Sequence, residues 1–315
     1  MKRQFRSILK QLEAGDIITL IFITLISLLN LIFFNKIEVW WITILYNTLI
    51  TLFILFISHY ASERKGIIRI IRDWYWYPFI LVIFKEIYVI IQSLQLPDQD
   101  PILLYIDKWI FGVNPTEWCA QFSNPFLTEY LQICYSTFYL ILLTVPFWFY
   151  IKNQKVEFFY SYFLILFGFY ISYIGYILVP AIGPRFTIHN FDTVNIELPG
   201  LFCTDFLRQV INMGESIPPN VLNAAALAQR DCFPSGHAEM TIISIYLSLK
   251  FKQSIRWIIL IVGISLIIAT VYLRYHYVID VIAGIICAIL VIFLAPYIQN
   301  WFDKFREVKN DIKKT

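Results

Sequence analysis

The sequence predicts an all-α fold, a polytopic helical bundle in a membrane with about eight transmembrane helices. Of the 315 residues, 59% are hydrophobic and only 15% are charged, and the mean hydropathy is +0.66. A water-soluble domain of this size would carry far more charge, so the bilayer is the expected solvent. The apolar residues also cluster in segments near the length of about 20 residues that a helix needs to cross a bilayer. The net charge of +3 is too small to indicate a nucleic-acid partner.

Eight apolar segments are candidate spans, and the sixth is short enough that its span is expected to continue on either side. In chain order they are 17–34, 39–57, 74–96, 130–151, 158–179, 237–249, 257–273 and 278–299. No internal repeat and no polar low-complexity linker separates them. The pattern therefore indicates one continuous helical bundle.

The distribution of lysine and arginine predicts the orientation of the bundle. Most of these residues fall in the N-terminal tail, in the loops after the second, fourth and sixth segments, and in the C-terminal tail. Because positive residues are retained on the cytoplasmic side, both termini are expected to be cytoplasmic. The polar clusters described next then lie on the extracytoplasmic side. The compact loops favour the inner membrane of a bacterium.

The stretch Phe233-Pro234-Ser235-Gly236-His237 opens the sixth segment and predicts an anion site. Ser235 is suited to cap the helix, and the small Gly236 lets a phosphate approach the backbone. His237 can serve as an acid or a base near neutral pH. The backbone N–H groups at a helix N-terminus, together with the helix dipole, favour a bound anion.

A second polar cluster precedes the last segment. His276 and Asp280 are four residues apart, so they share one face of a helix and the carboxylate can hold the imidazole. Arg274 stands just before them, and Arg185 follows a Pro- and Gly-containing stretch after the fifth segment. A guanidinium group is well suited to phosphate oxygens. Two histidines, a carboxylate and two arginines therefore predict phosphoryl-transfer chemistry.

Two other interpretations of these residues remain open. His276 and Asp280 could form a purely structural pair at a helix end, in which each residue serves only as the hydrogen-bond partner of the other. His237, His276 and Asp280 could instead bind zinc, although two nearby arginines would repel a divalent cation. Glu239, in the first turn of the helix that begins near His237, is expected to compensate the helix dipole and not to act as a catalytic acid.

Other polar residues need partners but carry no motif. Lys85 and Glu86 interrupt the third segment, and adjacent residues do not face each other on a helix. Each is expected either to pair with another segment or to line a polar cavity. His59 and His189 are interpreted as bystanders, because no chemical motif surrounds either of them.

The long loop between the fifth and sixth segments, residues 180–233, is expected to be a lid or a loose connector. A short helix is predicted near 221–228. Cys203 and Cys232 both fall in this loop, where a disulfide is permitted if the loop is extracytoplasmic. Free thiols fit the sequence equally well.

In their order and spacing the motifs resemble the type 2 phosphatidic acid phosphatase (PAP2) superfamily of membrane enzymes. The resemblance covers roughly residues 74–296: an arginine after the third of six spans, Pro-Ser-Gly-His opening the fourth, and His-x-x-x-Asp beginning the sixth. It implies an N-terminal two-helix transmembrane hairpin (1–73), a six-span PAP2-like catalytic core (74–300) and a basic cytoplasmic tail (301–315).

The resemblance also implies roles for the matching residues. His276 would be the nucleophile that becomes phosphohistidine, and Asp280 would orient it. His237 would protonate the leaving alcohol and later activate the acceptor. The phosphate oxygens would be held by Arg185, Ser235 and Gly236. No metal and no organic cofactor is implied.

The sequence departs from the superfamily's signatures at several positions. Leu178 and Phe186 stand where a lysine and a proline are expected around the first arginine, and Ala269-Thr270 replaces a Ser-Arg pair. Arg274 would then supply the missing guanidinium and help to bind phosphate. With its signatures altered in this way, the sequence resembles the branch that contains inositol phosphorylceramide synthases and related lipid phosphotransferases.

The predicted function is that of a metal-independent membrane enzyme acting on lipids. It would cleave a lipid phosphate ester or phosphodiester through a phosphohistidine and pass the phosphoryl group to an alcohol or to water. The expected partners are a lipid phosphate, an alcohol acceptor and the bilayer. A non-catalytic transporter or carrier of anionic lipids is the rival from another class, and a metal-dependent hydrolase is the third alternative.

Overall fold

The computed structural model describes residues 10–61, 64–219 and 221–311, with side chains as far as residue 304. These residues form an all-helical fold, 75% helix and without a strand, which confirms the predicted fold class. The predicted basic tail lies partly outside the described residues. The helices are α1 (Ala14–Ile32), α2 (Trp40–Tyr60), α3 (Ile67–Trp74), α4 (Trp76–Leu94), α5 (Asp100–Phe111), α6 (Pro115–Ala120), α7 (Pro125–Ser136), α8 (Phe138–Ile151), α9 (Lys155–Leu178), α10 (Pro184–Thr187), α11 (Val194–Glu197), α12 (Thr204–Gly214), α13 (Ala224–Leu227), α14 (Gly236–Lys250), α15 (Arg256–Tyr272) and α16 (Val278–Asp311).

Five of these helices are long and apolar enough to cross a membrane: α1, α2, α4, α9 and α16. Helices α7 and α8 form a sixth candidate span, bent by 48° at their junction. Helices α14 and α15 contain only 15 and 17 residues. Because a helix rises only about 1.5 Å per residue, both are short for a membrane span. All the predicted segments coincide with helices, but the predicted count of eight spans is not confirmed. Five or six candidate spans among the described residues make the chain an integral membrane protein.

Helices α1 and α2 pack against each other as a helical hairpin, and α1 also packs against α9. The hydroxyls of Thr19 and Tyr170 are 2.8 Å apart and hydrogen-bonded, and the ring of Phe22 stacks on that tyrosine at 4.3 Å between centroids. Asp16 in the first turn of α1 is fully buried and forms an ion pair with Arg72 of α3. Since a buried charge requires a partner, this pair fixes the hairpin to the following helices.

Lys85 and Glu86 in α4 point to different parts of the molecule, as their adjacency on a helix requires. Glu86 accepts hydrogen bonds from the amides of Asn47 and Asn30 in the hairpin, at 2.9 and 3.4 Å. Lys85 donates through Nζ to the carbonyl of Gly214, at 2.7 Å. Each charge is therefore paired with another segment, which was one of the two predicted alternatives.

The described residues between α9 and α14, 180–219 and 221–235, form a folded segment that we call the lid. It contains the short helices α10 to α13, and α13 confirms the short helix predicted near 221–228. The guanidinium of Arg230 donates to both carboxylate oxygens of Asp98, at 2.7 and 3.3 Å. Arg208 donates to the carbonyl of Leu198 at 2.8 Å. These contacts indicate an ordered lid and not a loose connector.

The start of α14 is packed closely between α9 and α16. Gly284 of α16 lies against the carbonyl of Ser235, and Gly175 of α9 lies against the ring of Pro234. A methyl group at either glycine would overlap these atoms. The absence of a side chain is therefore what lets the three helices approach each other here.

We expect Gly284→Ala to lower both the stability and the activity of the protein. The added methyl group would push Ser235 and the first turn of α14 away from α16, and overpacking of this kind costs about 1–3 kcal/mol of unfolding free energy. Thermal unfolding in detergent micelles, followed by circular dichroism, measures the change. Gly214→Ala is the matched control, because a methyl group there meets open space. Equal losses in the two variants would contradict this account of the packing.

Candidate active site

The Pro-Ser-Gly-His motif forms the N-terminus of α14. Ser235 is the N-cap, as predicted, and its Oγ accepts a hydrogen bond from the N–H of Ala238 at 3.3 Å. The N–H of Ser235 donates to the carbonyl of Asp280 at 2.9 Å, which joins the motif to α16. Gly236 lies against the hydroxyl of Tyr176, where a side chain would not fit. Both residues therefore have structural roles at the start of the helix.

The two histidines of the predicted site lie side by side. Nε2 of His276 is 3.5 Å from Nδ1 of His237, and the ring centroids are 5.6 Å apart. The ring of His237 also contacts those of Tyr135 and Phe138, with centroids 4.7 and 4.3 Å away. The fold thus brings two distant motifs together, with a confined imidazole facing a second one.

The ring of His276 is oriented by a backbone carbonyl. Its Nδ1 is 2.9 Å from the carbonyl oxygen of Cys232, whereas the nearest carboxylate oxygen of Asp280 is 3.5 Å away. Because a carbonyl only accepts hydrogen bonds, Nδ1 carries the proton and Nε2 keeps its lone pair towards His237. Sequence reasoning assigned the orienting role to Asp280 alone; in the structure Asp280 adds a negative charge behind a ring that Cys232 already fixes.

Asp280 is itself held by two donors. Its Oδ2 accepts hydrogen bonds from the N–H of Tyr277 at 2.8 Å and from the thiol of Cys232 at 2.9 Å. Both Cys203 and Cys232 are free, so the disulfide considered between them is absent from the described structure. Sequence analysis did not identify the thiol of Cys232 as part of the site, although it stands only two residues before the motif's proline.

One group of side chains has the composition of a metal site. The ligand atoms of Cys232, His276 and Asp280 lie within 4.8 Å of one another, and thiolate, imidazole and carboxylate are donors that suit zinc. This group differs from the predicted zinc alternative, which used His237. In the structure its atoms are hydrogen-bonded to one another and to the carbonyl of Cys232. The group therefore forms a hydrogen-bond network that orients His276, although Oδ1 of Asp280 has no hydrogen-bond partner among the described residues.

Arg185 lies in the same cavity as both histidines. Its Nη1 donates to Oδ1 of Asn212 at 3.1 Å, and its guanidinium forms an ion pair with Glu215. The guanidinium also lies over the ring of Tyr275, 4.6 Å from the centroid. The carboxylate of Glu215, a lid residue, thus neutralises the guanidinium of Arg185, which was predicted to bind phosphate. No local motif marks Asn212 or Glu215, and sequence analysis did not find them.

Arg274 forms an ion pair with Glu197 of the lid and is not among the described residues that line the cavity of the histidines. Its φ of +68° lies in the left-handed region, which is rare for a residue with a side chain. The turn lets the N–H groups of Tyr275 and His276 both reach the carbonyl of Thr270, at 2.9 and 3.0 Å. Arg274 therefore shapes the turn into His276, and this geometry does not support the predicted replacement of a phosphate-binding guanidinium.

Two further titratable residues have structural partners. His189 in the lid shares a hydrogen bond of 2.8 Å with the hydroxyl of Thr116. Burial, with a smaller contribution from the charge of Arg274, lowers the pKa of His189 to about 4, so its ring is neutral at physiological pH. Glu239, in the first turn of α14, is buried and accepts a hydrogen bond from Ser172 of α9. Neither residue lines the cavity of the histidines within the described chain.

Helix α5 braces the site with two buried aspartates. Asp107 accepts hydrogen bonds from the N–H groups of Val278 and Ile279, both at 2.8 Å, and so caps α16 from another segment. Asp100 accepts one from the N–H of Gly183 at 2.8 Å. The two carboxylates fix the turn before α10 and the first turn of α16 relative to each other. Sequence analysis missed both, because the groups they cap are far away in the chain.

Asp231 lies where two cavities adjoin. One narrow cavity contains both histidines with Arg185, and the other, also narrow, has mainly aromatic walls. Asp231 and His237 line both. Burial raises the pKa of Asp231, and the charge of Arg185 acts in the opposite direction. A carboxylate of this kind was not expected from the sequence.

Comparison with known families agrees with this geometry. Residues 102–294, more than half of the chain, match the PAP2 superfamily, whose members are phosphatases and phosphotransferases. The matched region begins after the hairpin and contains all the predicted site residues, from Arg185 to Asp280. The chain matches no curated protein and no solved structure. On the match over residues 102–294, the chain belongs to the PAP2 superfamily of membrane phosphatases and phosphotransferases.

Proposed function

We propose that this protein is a lipid phosphotransferase or phosphatase that works through a phosphohistidine on Nε2 of His276. The observation that carries the proposal is the 3.5 Å approach of this nitrogen to Nδ1 of His237 in a cavity that also holds Arg185. A phosphorus atom bound near Arg185 would have a nucleophile and a proton carrier within reach. No metal ion or organic cofactor is part of the proposal.

In the first step the lone pair of Nε2 of His276 attacks phosphorus, and the bond from phosphorus to the lipid oxygen breaks. His237, protonated for this step, donates its proton to the leaving oxygen. The imidazolium that forms on His276 is stabilised by the carbonyl of Cys232 and by the charge of Asp280. Splitting one displacement into two easier ones is the advantage of such covalent catalysis.

In the second step His237 removes a proton from an alcohol or a water molecule. The oxygen of this acceptor bonds to phosphorus as the bond to Nε2 breaks, and His276 regains its resting state. Arg185 and the N–H groups at the start of α14, around Ser235 and Gly236, hold the phosphate oxygens throughout. An alcohol acceptor makes the protein a phosphotransferase of the inositol phosphorylceramide synthase kind, and water makes it a phosphatase.

The proposal extends to topology. Helices α14 and α15 would also cross the bilayer, which gives eight spans: the hairpin in residues 1–73 and six spans in the core, residues 74–300. Both termini and the basic tail would be cytoplasmic, and the lid and histidines would face the other side, as in the inner membrane of a bacterium. The charge distribution supports this arrangement, because positive residues are retained in the cytoplasm.

Replacing the proposed nucleophile should abolish activity. We expect His276→Ala to remove all turnover of lipid phosphates, and His237→Ala to lower kcat by about 10²–10⁴-fold, the usual contribution of a general acid or base. His59→Ala, at the far end of α2, is the matched control and should leave kcat unchanged. Product release from labelled lipid phosphates in detergent measures all three variants.

The same assay with excess chelator separates the alternatives. The proposed mechanism predicts no loss of activity, whereas a zinc hydrolase would be inactivated. Full activity of His276→Ala would contradict the phosphohistidine. Binding of anionic lipids with no turnover by any variant would point to a carrier instead.

Glu215 should compete with phosphate for Arg185. We expect Glu215→Gln to bind orthovanadate roughly fivefold more tightly, which corresponds to a competing ion pair of about 1 kcal/mol. Glu197→Gln is the matched control, because this carboxylate pairs with Arg274, which does not line the cavity. The inhibition constant for orthovanadate gives the measurement. Equal effects of the two substitutions, or weaker inhibition of Glu215→Gln, would contradict the assignment of Arg185 to phosphate.

A further inference from the structure

Helix α12 of the lid has one face that is both apolar and exposed. Phe206, Val210 and Met213 are 64%, 44% and 58% exposed, and their spacing of four and three residues places them in one row along the helix. We call these three residues the apolar stripe. The opposite face is bound to the fold, because Arg208 is buried there and donates to the carbonyl of Leu198. Contact of such a stripe with water is unfavourable, so a partner is expected to cover it.

The C-terminal end of α12 is attached halfway along a membrane span. Nζ of Lys85 donates to the carbonyl of Gly214 at 2.7 Å and to Oγ of Ser216 at 2.9 Å. Lys85 is the central residue of α4, with nine residues on either side, so it lies about 14 Å from each end of that helix. A lysine side chain is shorter than this distance. Since all of α4 is a candidate span, the end of α12 lies within the depth of the membrane.

The face of α4 that carries Lys85 is itself exposed and apolar. Leu81 and Val82 are 42% and 48% exposed, and residues three and four apart share one face of a helix. Exposed apolar side chains near the middle of a span face the acyl chains of the lipid. Because the ammonium of Lys85 joins α4 directly to α12, the apolar stripe continues this lipid-facing surface.

The other end of α12 is held by a second helix of the bundle. Glu129 of α7 accepts hydrogen bonds from the N–H groups of Leu201 and Cys203, at 2.9 and 2.8 Å, just before α12 begins. A carboxylate thus lies at the N-terminal end of α12 and the ammonium of Lys85 at its C-terminal end, where the helix dipole favours each charge. Helix α12 is therefore fixed at both ends, between α7 and α4.

A polar edge runs beside the apolar stripe. Asp205 and Gln209 are exposed, and since they are four residues apart they form a neighbouring row on the same helix. Apolar residues on one side and polar residues next to them are typical of a helix that lies along a membrane surface, with its apolar side towards the acyl chains. The pattern of α12 therefore agrees with its depth.

We propose that the apolar stripe of α12 docks against lipid acyl chains, in the half of the bilayer nearest to the lid. The partner is the bilayer and not a second protein, because the stripe continues the lipid-facing side of α4. Asn212 and Glu215, which bind Arg185, stand on α12 and directly after it. The position of α12 in the lipid therefore also sets the position of these two partners of Arg185.

Photocrosslinking of the full-length protein in phosphatidylcholine nanodiscs tests this contact. The photoreactive residue p-benzoylphenylalanine replaces Phe206 or Met213 in the stripe, or Gln209 on the polar edge as the matched control. After irradiation, mass spectrometry of the lid peptides detects attached lipid. We expect lipid adducts at positions 206 and 213 and little or none at 209. Equal adducts at all three positions, or crosslinks to a second copy of the chain in place of lipid, would overturn the proposal.

Oxidation of Met213 provides a second test that needs no substitution. Hydrogen peroxide converts an accessible methionine to its sulfoxide, and the rate on the wild-type protein in nanodiscs is compared with that on a synthetic peptide of residues 204–214. We expect oxidation in nanodiscs to be at least about tenfold slower, because moving a polar oxidant from water into hydrocarbon is costly. Equal rates would place the stripe in water and overturn the proposal. Neither measurement requires turnover, so the proposed function is tested separately.

Discussion

A buried set of hydrogen bonds joins the residues before α14 to the first turn of α16, and the geometry of the site depends on it. The carbonyl of Cys232 receives Nδ1 of His276, and its thiol reaches Asp280. The carbonyl of Asp280 receives the N–H of Ser235 in return. These contacts set the distance between the two histidines and the tautomer of His276. A shift of either segment would separate Nε2 of His276 from His237.

The surrounding fold shows how a chain of low charge stabilises such a network. In a bilayer an unpaired polar group is costly, and most of the described carboxylates near the site have partners from other segments. Asp107 caps α16, Asp100 holds the turn before α10, and Glu86 is bound by the asparagines of the hairpin. The lid adds ion pairs of its own, so the segment above the histidines is fixed to the bundle.

Much of this could be predicted from local sequence. Apolar runs gave the helices, and the Pro-Ser-Gly-His and His-x-x-x-Asp patterns identified His237 and His276, which the fold brings together. The count of spans was less secure, because α14 and α15 are too short to be recognised by length. What escaped prediction were contacts between distant segments. The carbonyl of Cys232 and the carboxylate of Glu215 carry no periodicity or motif that local reading could detect.

Arg274 shows the limit of reasoning from spacing. Its place two residues before His276 suggested a phosphate ligand, but its left-handed backbone sends the side chain to Glu197. Arg185, more distant in sequence, is the guanidinium that lines the cavity with the histidines. Conformation at one residue thus decides which guanidinium lines the cavity of the two histidines.

The most direct test of the account is to locate the covalent intermediate. Protein mixed with a lipid donor labelled at phosphorus is quenched within the first turnover in alkali, and the labelled peptide is identified by mass spectrometry. The account predicts an acid-labile, alkali-stable label on His276, which accumulates in His237→Ala because breakdown is slowed. A label on Cys232 or on any other residue would contradict it.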